Sequence, residues 1–297
     1  QDLTTDFTST LLSKFNNLAN LILNNNLITA SIIRINPLAC YNPISSTLPM
    51  TKTWSVRLKT FTCQCANTLH FANSKCVACG LMLGFIPDEV KLSAFTTNQY
   101  GNLQASCNGK LYRKCKNYSQ YNACNWMVSY DDEHDYCLSC RLNDIIPNLD
   151  DPENMTLWFR LEQGKRRLLY ILMTLGLPIE GKTSSNPSGL SFTGHASGLI
   201  TINLSEADHS ARIDMREKMG ERYRTLVGHF RHESGHYYWD KLIAKSDKIL
   251  EFRKLFGDER LGYVESMQDY YKNGPNQNWQ TVWISAYASM HPWADWA

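Results

Sequence analysis

The chain has ten cysteines, and eight of them stand in paired spacings between residues 63 and 140, with none after. A segment that must gather so many thiols on short loops has few folds open to it: a disulfide-stapled scaffold or a set of metal knuckles. Cys63, Cys65, Cys76 and Cys79 form C-x-C-x10-C-x2-C. Two tight turns, each presenting a pair of thiolates, supply the tetrahedron of soft ligands that zinc takes. Cys115, Cys124, Cys137 and Cys140 form a looser C-x8-C-x12-C-x2-C. Its closing "CLSC" has knuckle spacing, which makes this set a candidate second structural zinc. Cys40 and Cys107 are left over and read as buried or free thiols.

Compartment decides between bridges and knuckles. The N-terminal "LANLILNNNLITASII" is broken by Asn and lacks the basic region and small-residue cleavage site of a secretory signal. The protein therefore reads as cytoplasmic and the clustered cysteines as zinc ligands. Closed four-cysteine sites hold a small fold together and do no chemistry of their own.

Charge narrows the partners. The formal net charge is +2, and residues 51–140 carry nine Lys/Arg against six Asp/Glu, a weak balance for tracking phosphates. Nucleic acid is not the expected partner. The longest apolar run, "LLYILMTLGL" from Leu168, is too short to span a bilayer and lies in a helical pattern, so no membrane partner is expected either.

With 297 residues and 43% apolar content, the chain can fill one large domain or two ordinary ones. Residues 1–58, rich in Asn, Thr, Ser and Leu, read as a poorly structured extension, either a tail or a leader ahead of Met50. Residues 59–145 read as the zinc-ribbon region, and 146–297 as a second domain opened by a helix. There Asp151 can cap, Pro152 fits the first turn, and Leu157, Leu161, Leu168 and Leu172 recur at helical spacing until Gly176. Farther on, "GLITINL" (198–204) reads as a strand, 206–220 as a helix, and 221 to about 244 as a long helix. The resulting fold class is α+β: a small cysteine-rich ribbon followed by a mostly helical domain with a short sheet.

The long helix carries "HFRHESGHYYWD" (229–240), in which His232, Glu233 and His236 spell H-E-x-x-H. Residues four apart share a helix face, so two imidazoles can reach one zinc while Glu233 stands beside them to act on water as general base. His229 lies on nearly the same face and reads as a hydrogen-bonded neighbour of the site, since a third ligand from one helix would crowd the tetrahedron. A catalytic zinc needs a third protein ligand, and "YYWDKLIAKS" offers no histidine after a glycine. Glu259, Glu265, Asp269, His291 and Asp295 are the candidates, and spacing does not choose among them.

Several stretches together carry a resemblance: "FTCQCANTLHFANSKCVACGLMLGF", "CLSCRLNDIIPNL", "LWFRLEQGKRRLLYILMTLGLPI", "TGHASGLITINLSEAD", "GHFRHESGHYYWDKL" and "SAYASMHPWADWA". In this order, from about residue 60 to the last, the chain resembles the bacterial zinc-binding metallopeptidases with an N-terminal zinc-ribbon domain. The resemblance implies a gluzincin-like peptidase domain with Glu233 as base and a zinc ribbon at Cys63, Cys65, Cys76 and Cys79. In that pattern "HPW" is followed by Glu-Asp-Trp-Ala-Glu, whereas here Ala294, Asp295, Trp296 and Ala297 close the chain. A downstream Glu is the third ligand of gluzincin-type sites, so either it lies beyond residue 297, in a C-terminally truncated domain, or Asp295 substitutes. A carboxylate one position along a helix points about 100° away, which makes Asp295 an imperfect stand-in.

Two functions are expected from these residues. One is a zinc peptidase acting on peptide or protein substrates, with one catalytic and one or two structural zinc ions, and with His195 or Tyr287 as possible groups at the transition state. The other is a catalytically impaired zinc-ribbon protein that binds protein or nucleic acid.

Overall fold

Short strands between turns, then helices, are what the cysteine spacing and the later periodicity demand. The computed structural model describes residues 60–179, 194–196, 199–218, 221 and 224–297. The expected extension 1–58, Cys40 and Met50 lie outside the described residues. The described residues divide into two compact units, 60–179 and 194–297. Among the described residues, no helix is long and apolar enough to cross a membrane. Strands and helices are both present in an α+β arrangement with small antiparallel sheets.

In the first unit, β1 (Phe61–Thr62) and β2 (Thr68–Leu69) pair as a small antiparallel hairpin that carries Cys63 and Cys65 on its turn. Strands β3 (Met82–Ile86), β4 (Lys91–Thr97), β5 (Leu103–Ala105), β6 (Leu111–Lys114) and β7 (Met127–Ser129) follow as an antiparallel meander in sequence order. The sheet curls on itself: Phe85 bridges Trp126 in parallel, and the Phe85 amide donates to the Asn125 carbonyl at 2.7 Å. Leu83, Phe85, Ile86, Leu92, Trp126 and Met127 fill the enclosed core. Closing the sheet hides an edge that would otherwise be open to another chain.

Gly84 shows how tight that core is. A Cβ there would run into the Met127 side chain and sit 3.0 Å from the Phe95 ring. The Gly84→Val protein is expected to lose about 1–3 kcal/mol of stability by overpacking, read as a lower denaturation midpoint of zinc-loaded protein. An unchanged midpoint would mean that Met127 swings away at no cost.

Two short helices, α1 (Lys116–Tyr121) and α2 (Leu138–Arg141), begin immediately after Cys115 and Cys137. The long helix α3 (Pro152–Thr174) starts as the sequence predicts: Asp151 accepts the Glu153 amide at 2.9 Å and Pro152 occupies the first turn. It ends ahead of Gly176, which adopts φ +68, a left-handed conformation that suits a helix terminus. Its buried face differs from the expected leucine stripe. Leu168 and Leu172 are buried, but Leu157 and Leu161 are only half-buried, and ahead of Leu168 the helix buries Trp158, Glu162 and Arg166. Charged residues hold that face because polar partners meet them in the cysteine-bearing loops. By compactness α3 lies in the cysteine-bearing unit, with its Tyr170 ring against Phe61, Phe71 and Phe85.

In the second unit, β8 (Gly194–Ala196) and β9 (Leu199–Thr201) form an antiparallel hairpin. The expected strand 198–204 is shortened because the Asn203 side chain accepts the Ser205 amide and starts a 3-10 turn at Leu204–Ala207. Helices α4 (His209–Lys218) and α5 (Leu226–Leu242) follow. The start of α5 falls at Leu226 instead of near 221, because the Thr225 hydroxyl accepts the Gly228 amide at 3.0 Å as an N-cap. Next come α6 (Ile249–Phe256), α7 (Tyr263–Asn273), α8 (Trp279–Val282) and α9 (Pro292–Trp296).

Helix α9 packs on both α5 and α6, with Trp296 Nε1 donating to the Gly235 carbonyl at 2.9 Å. A Cβ at Gly235 would lie 2.6 Å from Ala297 Cα, so a glycine in the middle of α5 is what admits α9 so closely. Phe252, Ile243, Leu242, Ala288 and Ala294 are buried in this unit.

Candidate metal centres

Both cysteine sets close into quartets whose sulfurs all lie within 4.8 Å of one another: Cys63, Cys65, Cys76 and Cys79, and Cys115, Cys124, Cys137 and Cys140. Cys63 Sγ is 3.7 Å from Cys79 Sγ and Cys65 Sγ is 3.7 Å from Cys76 Sγ. In the second quartet Cys124 Sγ stands 3.7 Å from Cys137 Sγ and 3.8 Å from Cys140 Sγ. A disulfide would bring sulfurs to about 2 Å. Four sulfurs at about 2.3 Å from one tetrahedral zinc are about 3.8 Å apart, so the donor sets fit zinc. The wide spacing of Cys115 and Cys124 is no obstacle, since α1 fills the interval and returns the chain.

Local electrostatics act unequally on the thiols, and burial raises Cys124 and Cys137 above the usual thiol range. Backbone hydrogen bonding from Cys79 draws the Cys76 thiol down to about 6. Hydrogen bonds from Cys124, Cys137 and Cys140 pull Cys115 well below the usual thiol range. Burial pushes the Cys63 thiol up to about 12. The Trp126 and Cys137 amides donate to Cys124 and Cys115 sulfurs at 3.3 and 3.4 Å. Cys107 joins neither quartet.

The third candidate centre lies on α5. His232 Nε2 and His236 Nε2 are 3.2 Å apart. Two imidazole nitrogens bound to one tetrahedral zinc at about 2.0–2.1 Å stand about 3.3 Å apart, so this pair also fits the ion. Glu233 follows His232 and is only 8% exposed, and burial raises its carboxyl from the ordinary 4.5 to about 7. Burial, then the neighbouring His229, lowers His232 to about 4, which keeps its nitrogen unprotonated at neutral pH.

Aromatic rings frame the pair. The Trp293 ring lies 3.9 Å from the His236 ring, Tyr287 is 5.8 Å from His232 and Tyr263 is 6.4 Å from His236. The Tyr263 and Tyr287 hydroxyls are 3.5 Å apart, and burial raises both above the usual phenol range.

His229 turns to another partner. Its Nδ1 is 3.4 Å from Glu206 Oε2, and Glu206 accepts from Arg224 Nη2 at 2.7 Å while Arg224 Nη1 reaches both Glu221 oxygens at 3.2 and 3.1 Å. Burial, then the Arg224 guanidinium, holds His229 below its usual value against the pull of Glu206. His195 lies on β8 opposite Ile200, and the hairpin packs beside α5. Its side chain is outside the described residues.

Among the described residues, no Glu, Asp, Cys or further His brings a ligand atom within 4.8 Å of both His232 and His236 nitrogens. Ala294 is the buried residue of α9, and Asp295 is one position around the helix and half-buried. Glu259 pairs with Arg253 Nε at 2.9 Å, and Asp269 accepts from Asn273 at 2.6 Å. His291 Nδ1 accepts the Trp293 amide at 3.1 Å, while Glu265 is exposed. Tyr263, Trp293 and the Glu206–Arg224 pair were not singled out from the sequence as site residues. Trp293 had a visible signal in "HPW", but the others are distant in the chain and carry no motif.

Two thiolate quartets, and a histidine pair flanking a buried glutamate, define a zinc-binding protein of metallopeptidase type. Residues 154–297 match the family described as "Putative zinc-binding metallo-peptidase", and residues 60–151 match a zinc-ribbon domain. Uncharacterized proteins of Mycobacterium tuberculosis and Mycobacterium bovis are each 37% identical to this chain over 253 residues, covering 81% of it and 71% of the relative. The chain belongs to this zinc-binding metallopeptidase family with an N-terminal zinc ribbon. No solved structure matches it significantly.

Proposed function

We propose that the protein is a zinc-dependent peptidase whose reacting centre is His232, Glu233 and His236. The observation that carries this reading is the 3.2 Å separation of the two Nε2 atoms, with a buried carboxyl beside them. Zinc held by the two imidazoles would supply Lewis-acid polarisation of water and of a substrate carbonyl. Glu233, raised to about 7, is matched to take a proton from water near neutral pH and to return it to the departing amine. Tyr263 and Tyr287 stay protonated at neutral pH and stand by the histidines as donors for a developing oxyanion. The β8–β9 hairpin beside α5 offers an edge on which an extended peptide can add as a strand. The quartets hold structural zinc, and their reduced thiols suit the cytoplasm.

A second reading, a binding module with an impaired peptidase centre, is favoured by one observation: no third ligand joins His232 and His236 among the described residues. Metal removal separates the two. Dialysis against a chelator is expected to lower cleavage of an unstructured peptide by about 100-fold or more, and added zinc to restore it. Cleavage that ignores the metal would sink the peptidase reading, and full zinc occupancy with no cleavage of any peptide would leave the binding module.

A further inference from the structure

The quartets are alike in sulfur geometry and unlike in their surroundings. In the first, Cys63 and Cys76 are buried but Cys65 and Cys79 are exposed. In the second all four cysteines are buried. One charged side chain of α3 meets the second quartet, and two more meet the segments next to it. Glu162 Oε2 is 3.9 Å from Cys140 Sγ, and Lys165 Nζ is 2.7 Å from Glu162 Oε1 and also donates to Asn143 Oδ1. Arg166 Nη1 donates at 2.7 Å to the carbonyl of Ala123, the residue before Cys124. Glu162 and Arg166 are each 4% exposed.

Charges at that depth persist only with partners, and here the partners are the segments that carry Cys124 and Cys140. Zinc with four thiolates bears a net charge of about −2, which the first quartet shares with water through Cys65 and Cys79. The second is closed off from water and has two cations of α3 close to its loops: Lys165, which neutralises the Glu162 carboxylate beside Cys140, and Arg166, which is left to offset the cluster's charge. Losing its ion would free those loops and strand the buried Glu162 and Arg166. The second half of α3 has separate support, since Tyr170 packs among Phe61, Phe71 and Phe85.

We propose that the two quartets hold zinc ions of unequal lability. The ion at Cys63, Cys65, Cys76 and Cys79 exchanges readily with solvent chelators. The ion at Cys115, Cys124, Cys137 and Cys140 is retained, and it seats residues 152–166 of α3 through Glu162, Lys165 and Arg166. The first quartet is then a zinc-exchange site and the second a structural lock.

The test follows zinc-loaded full-length protein in excess chelator, with iodoacetamide labelling of each cysteine read by peptide mass spectrometry and amide exchange read over residues 152–166. The first quartet is expected to label at least about tenfold faster than the second, in line with its exposure. Protection of 152–166 should persist through that phase and disappear only as Cys124 and Cys140 label. Arg166→Met should speed labelling of the second quartet several-fold and leave the first unchanged. Simultaneous labelling of both quartets, loss of 152–166 protection with the first, or an unchanged second quartet in folded Arg166→Met would each overturn the proposal. If that variant does not fold, the wild-type time course decides alone.

Discussion

Glu233→Gln is expected to leave the zinc content of the protein unchanged and to lower peptide hydrolysis by about 10²- to 10⁴-fold, the range spanned by loss of a general base. Gln has nearly the same volume and can keep a hydrogen bond, but it cannot accept a proton at neutral pH. The buried position of Glu233 on α5 makes such a change one of chemistry more than of packing. Paired zinc analysis and turnover measurement are decisive together. Wild-type turnover in the variant would remove Glu233 from the base role, and loss of one zinc per chain would make it a ligand instead.

The same substitution has a stability signature in zinc-free protein. Burial raises the Glu233 carboxyl from 4.5 to about 7, so the folded state favours its protonated form. The contribution to stability is fully present below about pH 4.5 and is lost as pH rises through about 7. Gln cannot ionise, so the fall in stability across that window should be weaker in Glu233→Gln.

Arg224→Met is expected to cost about 3–5 kcal/mol, because it removes the cation from a largely buried pair and leaves Glu206 without its closest counter-charge. Arg224 ties the Leu204–Ala207 turn and Glu221 to the residue before the α5 cap, and Glu206 in turn meets His229 one helical turn ahead of His232. Urea denaturation reads the loss, and the Arg224→Met, Glu206→Gln double variant should recover most of it. A single-variant cost below about 1 kcal/mol would class the pair with solvent-screened surface bridges.

Local spacing accounts for what was legible beforehand. Asp151 and Pro152 start α3 because a cap and a first-turn proline act on neighbouring amides. The cysteine pairs lie on turns, and His232 and His236 share a face because i and i+4 do so on any α-helix. The leucine stripe on α3 misled in its first half. Helical period predicts which residues share a face, but the partner of that face decides whether Glu162 and Arg166 can be buried there. The strand at 198–204 and the start at 221 failed at their ends, where Asn203 and Thr225 side chains captured amides and set the boundaries.

The amino-acid sequence by itself therefore determined the candidate metal donors, the H-E-x-x-H face, the ribbon ahead of it and the family, since each depends on residue type at short spacing. Tertiary structure alone decided which groups surround those donors. It set Trp293 and Tyr263 against His236, turned His229 toward Glu206, brought α3 onto the buried quartet and put Ala294 on the buried side of α9. These contacts join residues far apart in the chain, and their placement follows from how helices and loops pack, which no local pattern encodes.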